Sequence, residues 1–162
     1  MLSYVTLCAG YTKLESATFI GGHKIDITLQ FRTLLSNGLM LFAFGGTGTW
    51  FILQLRDGSL LWSISINGKP DFCTFDLISL CDGRWHVAQL VREGTQMKLT
   101  IDRNRTLSSV SFGGDPYERA ERIVLSSYLY VGGIPDDDEA STFIRSNQLQ
   151  QAIQPSQLIS LV

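Results

Sequence analysis

The sequence is poor in the residues that usually carry chemistry. Its 162 residues hold only two histidines, His23 and His86, and three cysteines, Cys8, Cys73 and Cys81. No His-Glu-x-x-His or Cys-x-x-Cys occurs, so a zinc site lacks its usual ligands. No Gly-x-Ser-x-Gly elbow is present. Gly68-Lys69 lacks the upstream glycine of a phosphate loop, because position 63 is serine. Gly46-x-Gly48 runs into Trp50 and Phe51 rather than a helix start, so it is no dinucleotide fingerprint.

Charge concentration is also missing. Thirteen basic and 15 acidic residues give a net charge of −2. The densest basic stretch is Arg103 to Arg105, two arginines around an asparagine. That argues against nucleic acid or heparin as a partner. No run reaches the roughly 18 apolar residues of a membrane span. Met1 to Gly10 is moderately apolar but lacks a basic leading segment, so a signal peptide is not expected there.

Three cysteines cannot all pair within the chain. Cys73 and Cys81 stand eight residues apart, roughly 26 Å along a straight strand, and no Gly or Pro turns the chain back between them. A disulfide needs Cα atoms within about 7 Å. Both cysteines are therefore expected as buried apolar side chains. Asn104-Arg105-Thr106 is an N-glycosylation sequon and points to an extracellular setting.

What the chain does have is a period of two. Ile25, Ile27, Leu29 and Phe31 alternate with Asp26, Thr28, Gln30 and Arg32, as in a half-buried strand. Leu39 to Phe44 is apolar on both faces and predicts a strand covered on each side. Trp50 to Arg56, the strand carrying Leu60, Trp62, Ile64 and Ile66, Asp71 to Leu80, Trp85 to Arg92, Met97 to Asp102, Leu107 to Phe112 and Ile123 to Val131 continue the series. Asp57-Gly58 and Asn67-Gly68 are hairpin signals. The size fits one domain, and the pattern predicts an all-β sandwich or barrel. Asn147 to Ile153 predicts a short helix stopped by Pro155.

Enzymatic residues do not assemble. Asp71 and Asp76 have the wrong parity to share a strand face, against a glycosidase pair. Asp136 to Glu139 reads as a solvated loop run. His86 follows Trp85, so the two point to opposite faces; Trp85 is expected in the core, and His86 as a hydrogen-bonded structural residue.

Several pieces nonetheless form a specific series. Phe31-Arg32-Thr33, Asn37 to Phe42, Leu53 to Gly58, Asp82-Gly83-Arg84-Trp85-His86-Val87, Met97 to Asp102 and Tyr128 to Pro135 follow in this order. Together they resemble the laminin G-like domain, as found in laminin α chains, neurexins and large cadherin ectodomains. The resemblance covers about residues 17–135, leaving 1–16 as an N-terminal extension. Residues 136–162 form a divergent C-terminal segment, a closing strand or a short helix, without the family's usual Phe-x-Gly-Cys.

The resemblance implies an all-β fold, an antiparallel jelly-roll sandwich of the concanavalin-like kind. It also implies a non-catalytic extracellular module that engages a protein or glycan through loops at one rim. The contact candidates are Gly46, Thr47, Gly48, Thr49, Trp50, Ser126 and Ser127, with Asn104 as a glycosylation candidate. Many members hold calcium at this rim, but Thr49 and Ser126 or Ser127 stand where acidic ligands are expected. A hydroxyl brings no charge, so no metal or other cofactor is expected. Two alternatives remain: a spacer domain of a mosaic protein, and a carrier of a small apolar, steroid-like ligand.

Overall fold

The computed structural model describes residues 11–15, 24–46, 48–103, 105–110, 125, 128–147, 149 and 160–161, with 105–110 and 160–161 described as backbone alone. The strands are β1 (Thr12–Glu15), β2 (Lys24–Arg32), β3 (Gly38–Phe44), β4 (Trp50–Arg56), β5 (Ser59–Ile66) and β6 (Lys69–Phe75). They continue as β7 (His86–Glu93), β8 (Gln96–Ile101), β9 (Arg105–Val110), β10 (Tyr128–Val131) and β11 (Ser160–Leu161). Among the described residues a helix, α1, spans Glu139–Ser146.

Two sheets form an antiparallel jelly-roll sandwich. The six-stranded sheet runs β1-β10-β3-β4-β5-β6 and the five-stranded sheet runs β11-β2-β7-β8-β9. Thr12–Glu15, within the stretch expected to precede the sandwich, is an edge strand paired with Tyr128–Val131. Near the other terminus, Ser160 and Leu161 pair with Arg32 and Phe31, so the C-terminal segment supplies a closing strand as well as a helix.

Alternation decides which residues enter the space between the sheets. Ile25, Ile27 and Phe31 from β2 meet Leu60, Trp62 and Ile64 from β5 in one core that also takes Leu90, Leu99 and Ile101. Each such side chain contributes roughly 1.5–3 kcal/mol on burial. The β3–β4 register slips between Leu39 and Leu41, and this bulge puts both Met40 and Leu41 into the inner core. The hairpin signals fold as read. Asp57 and Gly58 have φ of 51° and 78°, and Asn67 and Gly68 have 51° and 77°. Positive φ at both central residues matches the twist of the flanking strands.

The outer face of the six-stranded sheet carries a second core of Leu39, Phe42, Trp50, Ile52 and Tyr130 under Ala140 and Ile144 of α1. This explains why β3 and β4 are apolar on both faces. This helix precedes the stretch Asn147 to Ile153 expected as helical, of which all but Asn147 and Leu149 lies outside the described residues. Its start is set by the acidic run read as a solvated loop, because Asp138 caps it by accepting from the Ala140 N–H. Asp138 also accepts from the Tyr130 hydroxyl at 2.7 Å and from Lys13 Nζ at 2.9 Å.

Two further expectations are corrected. Trp85 is not a core residue; it is 46% exposed, with Arg32 stacked 5.2 Å from its ring centroid. Trp62, fully buried, is the large indole of the inner core. Cys73 is buried, whereas Cys81 is only half-buried, its Sγ 3.1 Å from Ser79 Oγ; the two are not bonded to each other.

Candidate functional site

The loop between β3 and β4 is the rim singled out by the sequence. Gly45 N–H donates to Thr49 O, and Thr49 N–H to Gly46 O, closing the loop on itself. The β5–β6 hairpin then grips it. Gly48 O accepts from Gly68 N–H at 3.1 Å and from Ser65 Oγ at 2.8 Å, and Thr49 Oγ1 accepts from Asn67 N–H at 3.3 Å. A Cβ at Gly48 would sit 2.9 Å from Gly68 N, and its φ is +69°, so close approach and backbone geometry both demand glycine.

The candidate residues thus divide. Gly46 is exposed with open space around its Cα, while Gly48 and Thr49 are fixed against the neighbouring hairpin. Trp50 leaves the rim altogether and joins the outer core under α1. Thr47, Ser126, Ser127 and the sequon residue Asn104 lie outside the described residues.

The opposite end of the sandwich was not singled out by the sequence, yet it is the more tightly bonded. The β2–β3 loop, residues 33–37, meets the loop before β7. Gly83 N–H donates to Thr33 O, Gly58 N–H to Ser36 O, and Leu80 N–H to Gly58 O. His86, buried, joins this end to the β8–β9 turn. Its Nδ1 lies 2.9 Å from Asp102 Oδ2 and its Nε2 lies 3.1 Å from Asp82 Oδ1. Asp102 Oδ1 also accepts from Val87 N–H. The Arg84 N–H and then His86 hold the Asp82 carboxyl below its ordinary range, against the effect of burial. With both ring nitrogens on carboxylates, His86 is a clamp rather than a base facing a substrate. The spacing Asp82-x-x-x-His86 was the available sequence signal.

A groove of about 550 Å³ lies along the outer face of β4, β5 and β6, floored by Leu61, Pro70 and Phe72. Asp71 and Asp76 both border it despite their parity. Asp71, however, acts on Arg92 of β7: burial lowers the pKa of this guanidinium, and the Asp71 charge opposes that shift.

The comparisons agree with this geometry. The family profile described as "Laminin G domain" matches residues 31–154. Usherin of Homo sapiens is 32% identical over 135 residues, covering 81% of this chain and 2% of its own length. Neurexin 1 of Drosophila melanogaster is 31% identical over 150 residues, covering 83% of this chain and 8% of its own length. The chain therefore spans a small part of the curated relatives it matches. Among solved structures, mouse laminin alpha1 chain, domains LG4-5, superposes with a TM-score of 0.77 at 19% identity, covering 95% of this chain and 38% of that one. The chain belongs to the laminin G domain family.

Proposed function

We propose that this chain is a non-catalytic binding module of an extracellular mosaic protein, and that it engages a protein or glycan through the β3–β4 loop without a metal ion. The observation that carries this reading is the closure of the rim by its own hydrogen bonds. Thr49 Oγ1 accepts from Asn67 N–H, in the position where the family resemblance places an acidic ligand. A loop already held in one shape loses little entropy on binding. The absence of catalysis is supported by the commitment of His86 to two carboxylates, which removes the one described histidine from base duty. Extracellular placement rests on the family and on the sequon at Asn104.

The test is an array of purified extracellular-matrix proteins and glycans probed with the 162-residue chain, with and without chelator. Retention on at least one ligand that survives chelator and is lost in Gly46→Arg supports the reading. Gly46 is the chosen position because nothing lies within 4 Å of an added Cβ, so the fold is spared. No retention on any ligand would favour a spacer domain.

A further inference from the structure

The end of the sandwich opposite the β3–β4 loop presents a continuous apolar and cationic surface. Leu34, on the β2–β3 loop, is 78% exposed, and its side chain lies directly over Gly83, where an added Cβ would come within 3.0 Å of Leu34 Cδ2. Next along the chain, Arg84 is almost fully exposed, and Trp85 holds half its ring in solvent with Arg32 stacked on it. Leu34, Arg32, Arg84 and Trp85 therefore form one patch drawn from the end of β2 and the two loops beside it.

The backbone beneath this patch is fixed. Gly83 N–H donates to Thr33 O, Leu35 N–H to Thr33 Oγ1, and Arg84 N–H to Asp82 Oδ1. The exposed Leu and Trp are therefore not a consequence of a loose loop. Isolated exposed apolar residues are ordinary, but contiguous ones on rigid backbone mark contact surfaces. Tryptophan and arginine are the residues that most often anchor protein interfaces.

The charged groups of this end are not evenly placed. Asp57 in the β4–β5 turn and Asp76 after β6, both exposed, lie on the side of the six-stranded sheet. Nearer Trp85, Asp82 and Asp102 are partly exposed, at 37% and 39%, but turn their carboxylates to His86 and to the N–H groups of Arg84 and Val87. Arg84 keeps only a 3.9 Å contact to Asp82, and Arg32 keeps its ring contact. Beside Leu34 and Trp85, the groups left outside this hydrogen-bond network are the two guanidiniums. We propose that this end is a second docking surface, distinct from the β3–β4 loop, for a protein segment that presents acidic side chains next to an apolar one. Guanidinium groups take carboxylates in paired hydrogen bonds, and the apolar neighbour covers Leu34 and Trp85. A sulfated glycan would satisfy the arginines but leave these two uncovered.

The test uses the 162-residue chain against a display library of random twelve-residue peptides. The expected outcome is a consensus pairing Asp or Glu with Leu, Phe or Trp. Binding of the selected peptide should weaken by about tenfold or more in Arg84→Glu, Trp85→Ala and Leu34→Ser, each retaining its melting temperature, as for a hot-spot residue. Trp85 is the one exposed tryptophan of the three, so the same peptide should shift the fluorescence of the native chain and not of Trp85→Phe. A basic consensus, no binders, or binders indifferent to these substitutions would overturn the proposal. So would a heparin oligosaccharide that binds more tightly than any peptide and is unaffected by Leu34→Ser.

Discussion

The Tyr130 hydroxyl donates a 2.7 Å hydrogen bond to Asp138 Oδ1, tying β10 to the first turn of α1. Lys13 of β1 reaches the other oxygen of the same carboxylate at 2.9 Å. One acidic residue thus joins an edge strand, a central strand and the helix that covers the outer core. Asp138→Ala removes the helix cap and the partner of a buried phenol together. It should lower stability by about 2 kcal/mol, read from urea melts. Tyr130→Phe, which keeps the cap, should cost about half of that.

Acid should act through the same residue. Burial opposes ionisation of Asp138, but hydrogen bonds from Tyr130, Lys13 and the Ala140 N–H outweigh it and hold the carboxyl below its ordinary value of 3.8. Asp82 is lowered in the same direction. The unfolded chain then takes up protons first on acidification. Each group contributes stability that is present above the ordinary value and is lost as the pH falls through the folded-state value. Melting temperature should drop steeply below about pH 4, and Asp138→Asn should flatten that slope. An unchanged slope in the variant would remove Asp138 from the account.

Trp62 and Trp85 should behave oppositely. Trp62 is fully buried between the sheets, and its Nε1 has no hydrogen-bond partner. Trp62→Ala should destabilise by about 3–5 kcal/mol. Trp62→Phe should cost far less, because it also removes the unsatisfied N–H. Trp85→Ala should stay within about 0.5 kcal/mol of the native chain, as for surface substitutions.

Much of this fold was legible because strands announce themselves by alternation. The β2 pattern and the Asp57-Gly58 and Asn67-Gly68 hairpins appear as read. What failed were features fixed by tertiary partners. Trp85 and His86 were assigned to opposite faces, yet which one faces inward depends on Asp82 and Asp102, and the latter arrives from a different hairpin. Asp138 looked like one charge among several. Besides capping α1 it takes partners that no local pattern links to it, Tyr130 eight residues earlier and Lys13 from the first strand. At the candidate rim, the Gly46 to Thr49 loop was legible by position. Its locking by Asn67 and Gly68 was not, since nothing local links those residues to the loop.

The rim itself should tolerate little change at Gly48. Gly48→Val places a branched side chain at φ +69° and against the backbone of Gly68. The expected loss is more than about 2 kcal/mol, from strain and overpacking together. Thr49→Val, which deletes only the acceptor for Asn67 N–H, should cost about 1 kcal/mol.

A thermal melt of the chain in millimolar calcium and again in chelator tests the metal-independent rim most directly. Closure by Thr49, Asn67 and Gly68 predicts the same melting temperature in both, since a ligand stabilises only the state that binds it. A rise of several degrees in calcium would contradict it and show that other oxygens complete an ion site at the rim.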